Sequence, residues 1–145
     1  MTAEDQPVRS VIIDDEAAGR RMLRRLLELH CREIRVVADA DSAESGRRII
    51  DEFRPDLVFL DVEMPHEDGF SMLDRIGSRR FGVVFVSAHR RHAMRAMQYS
   101  ALDYLLKPVD ASELKFAVRK ALESRQKPGR RSTPHGFTSN GKEQR

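Results

Sequence analysis

Four short apolar runs in this sequence end on polar side chains of different chemical kinds. Asp14 and Asp15 follow the first run, and Asp61, Ser87 and Lys107 follow the others. Carboxylates are the ligands that hard divalent cations such as Mg²⁺ prefer, and crowded carboxylates repel one another until such a cation binds. The residue types therefore predict an acidic site suited to Mg²⁺ and flanked by a hydroxyl and an ammonium, provided that the fold brings the four run ends together.

Stretches of strand character alternate with stretches of helical spacing along the chain, which is typical of a parallel sheet with helices on both faces. Strands are predicted over residues 8–13, 34–38, 57–60, 83–86 and 102–106, with a helix after each of them. Residues 57–60 are apolar at every position, as in a central strand buried on both faces. Parallel strands end side by side, where open α/β sheets bind ligands, so the polar residues are expected to share one crevice.

Spacing and capping residues define the helices more closely. The first helix is expected to bury a stripe formed by Met22, Leu23, Leu26 and Leu27. Asp41 with Glu44, three residues later, is typical of a capping pair that opens the second helix. The same spacing recurs at Asp110 and Glu113, before the last helix.

The charge of the chain is unevenly distributed. Its 145 residues include 26 basic and 23 acidic side chains, and the segment 126–145 holds five of the basic and one of the acidic ones. The remainder, with 21 basic and 22 acidic side chains, gives no reason to expect direct nucleic-acid binding. Since residues 126–145 are rich in Pro, Gly and Ser and lack an apolar period, we predict one domain over 6–125 followed by a flexible basic linker or tail.

Cysteine content and hydropathy indicate the cellular compartment in which the protein is expected to function. Cys31 is the only cysteine, so neither an intramolecular disulfide nor a cysteine metal cluster can form, and a buried or half-buried thiol is expected. Residues 1–10 are polar, and no run approaches the roughly 18 apolar residues that a membrane span needs. We therefore expect a protein of the reducing cytoplasm without a membrane partner.

Four motifs resemble the response-regulator receiver domains of two-component signalling. They are VIIDDE at 11–16, LDVEMPHEDGF at 60–70, FVSAH at 85–89 and DYLLKPVD at 103–110. The likeness covers residues 8–125, and the segments DVEMP and SALDYLLKP are most similar to receivers that precede a LytTR-type DNA-binding domain. The resemblance implies a flavodoxin-like, doubly wound sheet of five parallel strands in the order 2-1-3-4-5, with no output domain in the residues left over.

The resemblance also assigns a role to each acidic residue. It implies that Asp61 is the phosphoacceptor and that Mg²⁺ is the cofactor. Asp15, Asp61 and the backbone carbonyl of Glu63 would bind the ion directly, and Asp14 largely through water.

The remaining roles follow from the same resemblance. Ser87 and Lys107 would contact the phosphoryl group, and Ser87 with Tyr104 would form the conformational switch. A sensor histidine kinase would be the phosphoryl donor, and the switch would change a partner or homodimer surface on the fourth helix, fifth strand and fifth helix. The protein would be a phosphoacceptor rather than an enzyme, and a cis peptide is expected before Pro108.

Three alternatives stay open. A dehalogenase-like phosphohydrolase also uses an aspartyl nucleophile and Mg²⁺, but it needs a second Asp where Glu16 follows Asp14. The chain could instead be a docking module that functions without phosphate, or a truncated fragment of a DNA-binding transcription regulator. His89 and His92 have no third ligand at a matching spacing, so they are interpreted as polar surface residues rather than metal ligands.

Overall fold

The computed structural model of the protein describes residues 6–125, where five strands alternate with five helices. The strands are β1 (Val8–Ile13), β2 (Ile34–Ala40), β3 (Leu57–Asp61), β4 (Gly82–Ser87) and β5 (Asp103–Leu106). The helices are α1 (Ala17–His30), α2 (Ala43–Phe53), α3 (Gly69–Ile76), α4 (Ala93–Gln98) and α5 (Ala111–Arg125), with a 3₁₀ turn at Arg90–His92 before α4. The predicted tail, residues 126–145, lies outside the described residues.

All five strands pair in parallel and form one sheet in the order β2-β1-β3-β4-β5. The predicted fold class and strand order are therefore confirmed. Between β1 and β3 the direction of winding reverses, and such a switch point opens a crevice at the carboxyl ends of the strands. Ile13 pairs with Leu60 across β1 and β3, while Ser87 pairs with Leu106 across β4 and β5, so the residues that follow lie along one edge.

Helices cover both faces of the sheet and create two hydrophobic clusters. One lies under α2, α3 and α4 and includes Phe70 and Phe85, and the other lies under α1 and α5 and includes Leu27 and Leu114. Every residue of β3 and β4 is buried, as expected for central strands covered on both sides. This packing fixes the strand ends that carry the candidate side chains.

The first helix buries a narrower stripe than its sequence predicts. Leu23 and Leu27 are buried and Leu26 is partly buried, but Met22 is 61% exposed, so its assignment to the stripe was wrong. Residues four apart lie above one another on a helix, whereas neighbours are rotated by about 100°. Met22 and Leu26 lie in the row next to Leu23 and Leu27, at the edge of the stripe, and of these two only Leu26 packs against the core.

Of the two predicted capping pairs, one is confirmed and one is wrong. The Asp110 carboxylate accepts a hydrogen bond from the Glu113 main-chain N–H at 3.1 Å, as predicted. Helix α2 is capped by Ser42 rather than Asp41, because the Ser42 hydroxyl accepts from the Ser45 N–H at 3.0 Å. Strand β2 continues to Ala40, two residues beyond its predicted end, and thereby sets where α2 begins.

The predicted interior position of the cysteine is confirmed, since Cys31 is 1% exposed and burial raises the pKa of its thiol. Within residues 6–125, every helix is too short or too polar to cross a membrane.

Candidate phosphoacceptor and metal site

The structure brings the three predicted carboxylates together at the switch point of the sheet. Asp14 and Asp15 follow β1 and Asp61 closes β3, and one carboxylate oxygen from each lies within 4.8 Å of the other two. Asp14 and Asp61 are each 5% exposed, and Asp15 is half-buried. Three anions this close repel one another, and a divalent cation with oxygen ligands relieves that repulsion. The donor set therefore fits Mg²⁺.

Lys107 reaches this acidic cluster from the end of β5. Its ammonium nitrogen lies 2.9 Å from Oδ2 of Asp14 and 3.4 Å from Oδ2 of Asp61. Its main-chain N–H donates to the Ser87 carbonyl at 2.8 Å, and the peptide bond to Pro108 is cis, as the resemblance implied. Burial disfavours the charged amine, but hydrogen bonds and charges from Asp14 and Asp61 raise the pKa of Lys107 overall. The side chain thus stays cationic and partly offsets the carboxylates.

The protonation of Asp61 depends on what lies beside it. Burial raises the pKa of Asp61 to about 7, with Lys107 lowering it and Asp14 raising it. The main-chain N–H of Glu63 donates to Oδ1 of Asp61 at 3.3 Å and favours the ionised form. Near neutral pH both protonation states of the Asp61 carboxyl are therefore populated. A bound cation would favour the ionised, nucleophilic state.

Ser87 and Tyr104, the two predicted switch residues, meet at the main chain of His89. The Ser87 hydroxyl accepts a hydrogen bond from the His89 N–H at 3.0 Å, and the Tyr104 hydroxyl donates to the His89 carbonyl. Ser87 is fully buried, and Tyr104 packs against the cluster under α4. A displacement of His89 would therefore affect both side chains.

The Glu63 side chain forms an ion-pair cluster that the sequence analysis missed. Its carboxylate lies 3.0 Å from His89 Nε2, 2.6 Å from an Arg91 guanidinium nitrogen and 2.8 Å from His92 Nε2. The hydrogen bond to His92 is the main cause that lowers the pKa of Glu63. His89 and His92 are partly exposed, as predicted, but their shared partner was not recognised. Since β3 and β4 are far apart in sequence, only their pairing could reveal this cluster.

A cleft of about 210 Å³ gives access to the acidic cluster. It is lined by Asp15, Glu16, Asp61, Glu63, Ala88, His89 and Lys107. Two glycines, Gly19 and Gly69, lie close to the strand ends that carry its carboxylates. A Cβ atom at Gly19 would lie 2.6 Å from Oδ2 of Asp14, and one at Gly69 would lie 2.6 Å from the Asp61 carbonyl oxygen. Glycine at these positions lets α1 and α3 approach the strand ends closely.

The sheet order and the acidic cleft together define a doubly wound α/β domain with a candidate cation site at its switch point. Residues 11–119 match the model of the response regulator receiver domain, and the chain belongs to this family. It is thus a receiver domain of the kind found in the response regulators of two-component signalling, and the predicted family is confirmed.

Several response regulators are similar in sequence. An uncharacterized response regulatory protein of Vibrio parahaemolyticus is 39% identical over 77% of this chain and 46% of its own length. The sensory transduction protein LytT of Bacillus cereus is 30% identical over 80% of this chain and 48% of its length. The transcriptional regulatory protein BtsR of Escherichia coli is 32% identical over 83% of this chain and 50% of its own length. The chain therefore spans about half the length of these relatives.

Solved receiver domains have the same fold. The receiver domain of the putative response regulator NarL from Mycobacterium tuberculosis superimposes with a TM-score of 0.72 at 28% identity, covering 83% of this chain and 99% of that one. The receiver domain of AraT, a response regulator from Geobacillus stearothermophilus, superimposes with a TM-score of 0.72 at 27% identity. The match covers 82% of this chain and 95% of that one.

Proposed function

We propose that this receiver accepts a phosphoryl group on Asp61 from the phosphohistidine of a sensor histidine kinase. The observation that carries the proposal is the convergence of Asp14, Asp15 and Lys107 on the Asp61 carboxylate at the switch point of the sheet. Membership of the receiver family supports a sensor kinase as donor. The domain would act as a phosphoacceptor that changes state, rather than as an enzyme that turns over a separate substrate.

The metal in this proposal is Mg²⁺, which the family typically binds. Asp15, Asp61 and the backbone carbonyl of Glu63 would hold the ion, with Asp14 acting largely through water. When bound, it offsets the negative charge on the phosphoryl oxygens during transfer.

Phosphoryl transfer exchanges a P–N bond in the kinase for a P–O bond to Asp61. An ionised Asp61 oxygen attacks phosphorus, the P–N bond to the kinase imidazole breaks, and the imidazole takes up a proton as it leaves. Lys107 holds its charge beside Asp61, and the Ser87 hydroxyl donates to a phosphoryl oxygen. To reset the domain, water attacks phosphorus, which releases inorganic phosphate and the Asp61 carboxylate.

The proposed output is a change at α4, β5 and α5. A phosphoryl dianion on Asp61 would draw the Ser87 hydroxyl away from the His89 N–H and so disturb the residue that Tyr104 also contacts. A groove of about 480 Å³, lined in part by Tyr104 and Phe116, lies between α4, β5 and α5. Met94 on α4 is 85% exposed and offers an apolar contact near this groove. The shift in population would favour a homodimer through this surface.

Intact mass spectrometry tests the phosphoacceptor directly. The protein is incubated with Mg²⁺ and a small-molecule phosphodonor, and wild type is compared with Asp61→Asn and with Asp51→Asn, which changes an exposed carboxylate on α2. We expect one phosphoryl adduct in wild type and Asp51→Asn, none in Asp61→Asn, and none without Mg²⁺. A wild type that stays unmodified would contradict the proposal and favour a docking module that works without phosphate.

The length of the relatives favours a second candidate for the protein as a whole. BtsR is a transcriptional regulatory protein of about twice the length of the matched region. In this candidate the domain is the receiver part of a transcription regulator, and DNA contact would come from residues beyond 145. Sequencing the gene downstream of codon 145 tests it, since an immediate stop codon would exclude it.

A further inference from the structure

Two arginines from different helices converge on one carboxylate in the loop between β3 and α3, residues 62–68. An Oε atom of Glu67 lies 2.7 Å from a guanidinium nitrogen of Arg47 on α2 and 3.5 Å from Nε of Arg75 on α3. The same loop supplies Glu63 to the wall of the acidic cleft. Neither arginine lines that cleft.

The contact between Arg47 and Glu67 differs from an ordinary surface ion pair. Their side chains are 25% and 18% exposed, whereas the neighbouring Arg48–Glu44 pair on α2 is 70% and 79% exposed, with its charges 3.8 Å apart. Because solvent screens exposed charges, the partly buried pair holds its geometry more firmly.

The loop needs such an anchor because of its backbone conformation. His66, the residue before Glu67, has φ of 74°, which is the left-handed region that non-glycine residues adopt only when their surroundings hold them there. The Gly69 N–H donates to the Val62 carbonyl at 2.8 Å and closes the loop on itself. Glu63 and Glu67 therefore belong to one short loop whose ends are hydrogen-bonded to each other.

We infer that Arg47 and Arg75 are positioning residues for the cation site, because through Glu67 they hold the loop that keeps Glu63 at the cleft wall. This inference rests on the proposed function, in which Glu63 supplies a backbone ligand to Mg²⁺. The arginines resemble outer groups that orient metal ligands without touching the metal.

The direction in which cation affinity changes distinguishes a positioning role from a purely electrostatic effect of the arginine charge. Removal of a distant positive charge should tighten the binding of a cation, whereas loss of a positioning group should weaken it. Arg47→Met keeps an apolar stem and removes the ion pair. The matched control is Arg48→Met, which makes the same change of charge at the next residue of the same helix.

Isothermal titration calorimetry with Mg²⁺ alone, at fixed ionic strength, measures the affinity. We expect Kd to rise about tenfold in Arg47→Met, to rise less in Arg75→Ala and to stay unchanged or fall slightly in Arg48→Met. Arg47→Lys should recover part of the affinity because it restores a cation to Glu67. Urea unfolding of each variant reports stability separately.

An unchanged or lower Kd in Arg47→Met would overturn the inference, even if that variant were less stable. An equal loss in Arg48→Met would also overturn it, because the effect would then not depend on Glu67. Failure of the wild type to bind Mg²⁺ would appear before any variant is tested, and it would contradict the proposed metal site and this inference together.

Discussion

The Lys107 ammonium lies 2.9 Å from the Asp14 carboxylate and links the end of β5 to the end of β1, across the switch point of the sheet. Its distance to Asp61 is longer, at 3.4 Å. Without a metal, Lys107 is thus the cation that balances two buried carboxylates. Changes at this residue should alter the protonation of the site before they alter the fold.

Substitution of Lys107 by alanine should raise the pKa of Asp61 further above about 7, because Lys107 is the group that lowers it. A neighbouring opposite charge typically changes a carboxyl pKa by about 1–3 units. NMR titration of the Asp61 carboxyl carbon in EDTA measures the midpoint. Lys120→Ala is the control, since Lys120 pairs with Asp103 at the amino end of β5, whereas the cleft lies at the carboxyl end of that strand. An unmoved midpoint in Lys107→Ala would show that this ammonium does not govern Asp61.

The stability that Asp61 contributes to the metal-free protein should fall as the pH rises from about 4 to 7. Because the pKa of Asp61 is raised from 3.8 to about 7, the folded state binds this proton more tightly than the unfolded chain does. The stabilisation is complete at low pH and is lost as the carboxyl ionises in the folded protein.

Asp61→Asn removes this dependence, so its free energy of unfolding should exceed that of wild type by about 4 kcal/mol more at pH 8 than at pH 4. Urea unfolding in EDTA at both pH values gives the difference. Saturating Mg²⁺ should stabilise wild type at pH 8. If the difference in free energy of unfolding between wild type and Asp61→Asn did not vary with pH, the raised pKa of Asp61 would be contradicted.

Gly19→Ala should weaken Mg²⁺ binding while leaving the fold intact. The new methyl group would lie 2.6 Å from Oδ2 of Asp14, so that carboxylate must move, although alanine itself favours the helix by about 1 kcal/mol. Calorimetric titration with Mg²⁺ should show a Kd about tenfold higher. Glu28→Ala, on the exposed side of α1, should bind as wild type does. Equal affinity in both variants would mean that Asp14 has no part in holding the cation.

Tyr104→Phe should accept the phosphoryl group normally but respond to it weakly. The substitution removes the hydroxyl that donates to the His89 carbonyl, while the acidic cluster stays intact. The mass adduct should therefore match wild type, and phosphorylation-dependent self-association should be reduced in sedimentation velocity. Full self-association in Tyr104→Phe would exclude its hydroxyl from the switch.

Met94→Glu should block the proposed homodimer without affecting phosphorylation. Met94 is 85% exposed, so a charge is tolerated in the monomer but is costly if an interface buries it. We expect self-association of the phosphorylated protein to weaken about tenfold or more. Met22→Glu on α1 is the matched control, because Met22 is also exposed but lies on the other face of the sheet. If only the control variant lost self-association, the interface would lie on α1.

Several features of the fold could be predicted from the sequence because they depend on local patterns. The fully apolar run of β3 and the alternation with helical spacing predicted a parallel sheet, and the structure confirms the element count and strand order within residues 6–125. The errors concern single residues, namely Met22 within α1 and the cap at the start of α2. Ser42 replaced Asp41 as a cap because β2 extends further than its apolar run indicated.

The convergence of the acidic cluster was also predictable, since it follows from one topological rule. Parallel strands that end on polar residues place them at a common edge, and the β1–β3 pairing brings Asp14 and Asp61 together. The roles of Asp61, Ser87 and Lys107 in phosphoryl transfer, and of Ser87 and Tyr104 in the switch, stay predictions.

The sequence by itself determined the element order, the two-sided core and the set of polar residues at the strand ends. Periodicity encodes which residues face the core, and this information is local. Only the tertiary structure decided the partners of Glu63 and Glu67, the meeting of Ser87 and Tyr104 at His89, and the close approach of Gly19 to Asp14. The contacts of Glu63, of Glu67 with Arg47 and of Tyr104 with His89 join segments far apart in the chain. All of these contacts depend on strand register and side-chain rotamers, which no local pattern specifies.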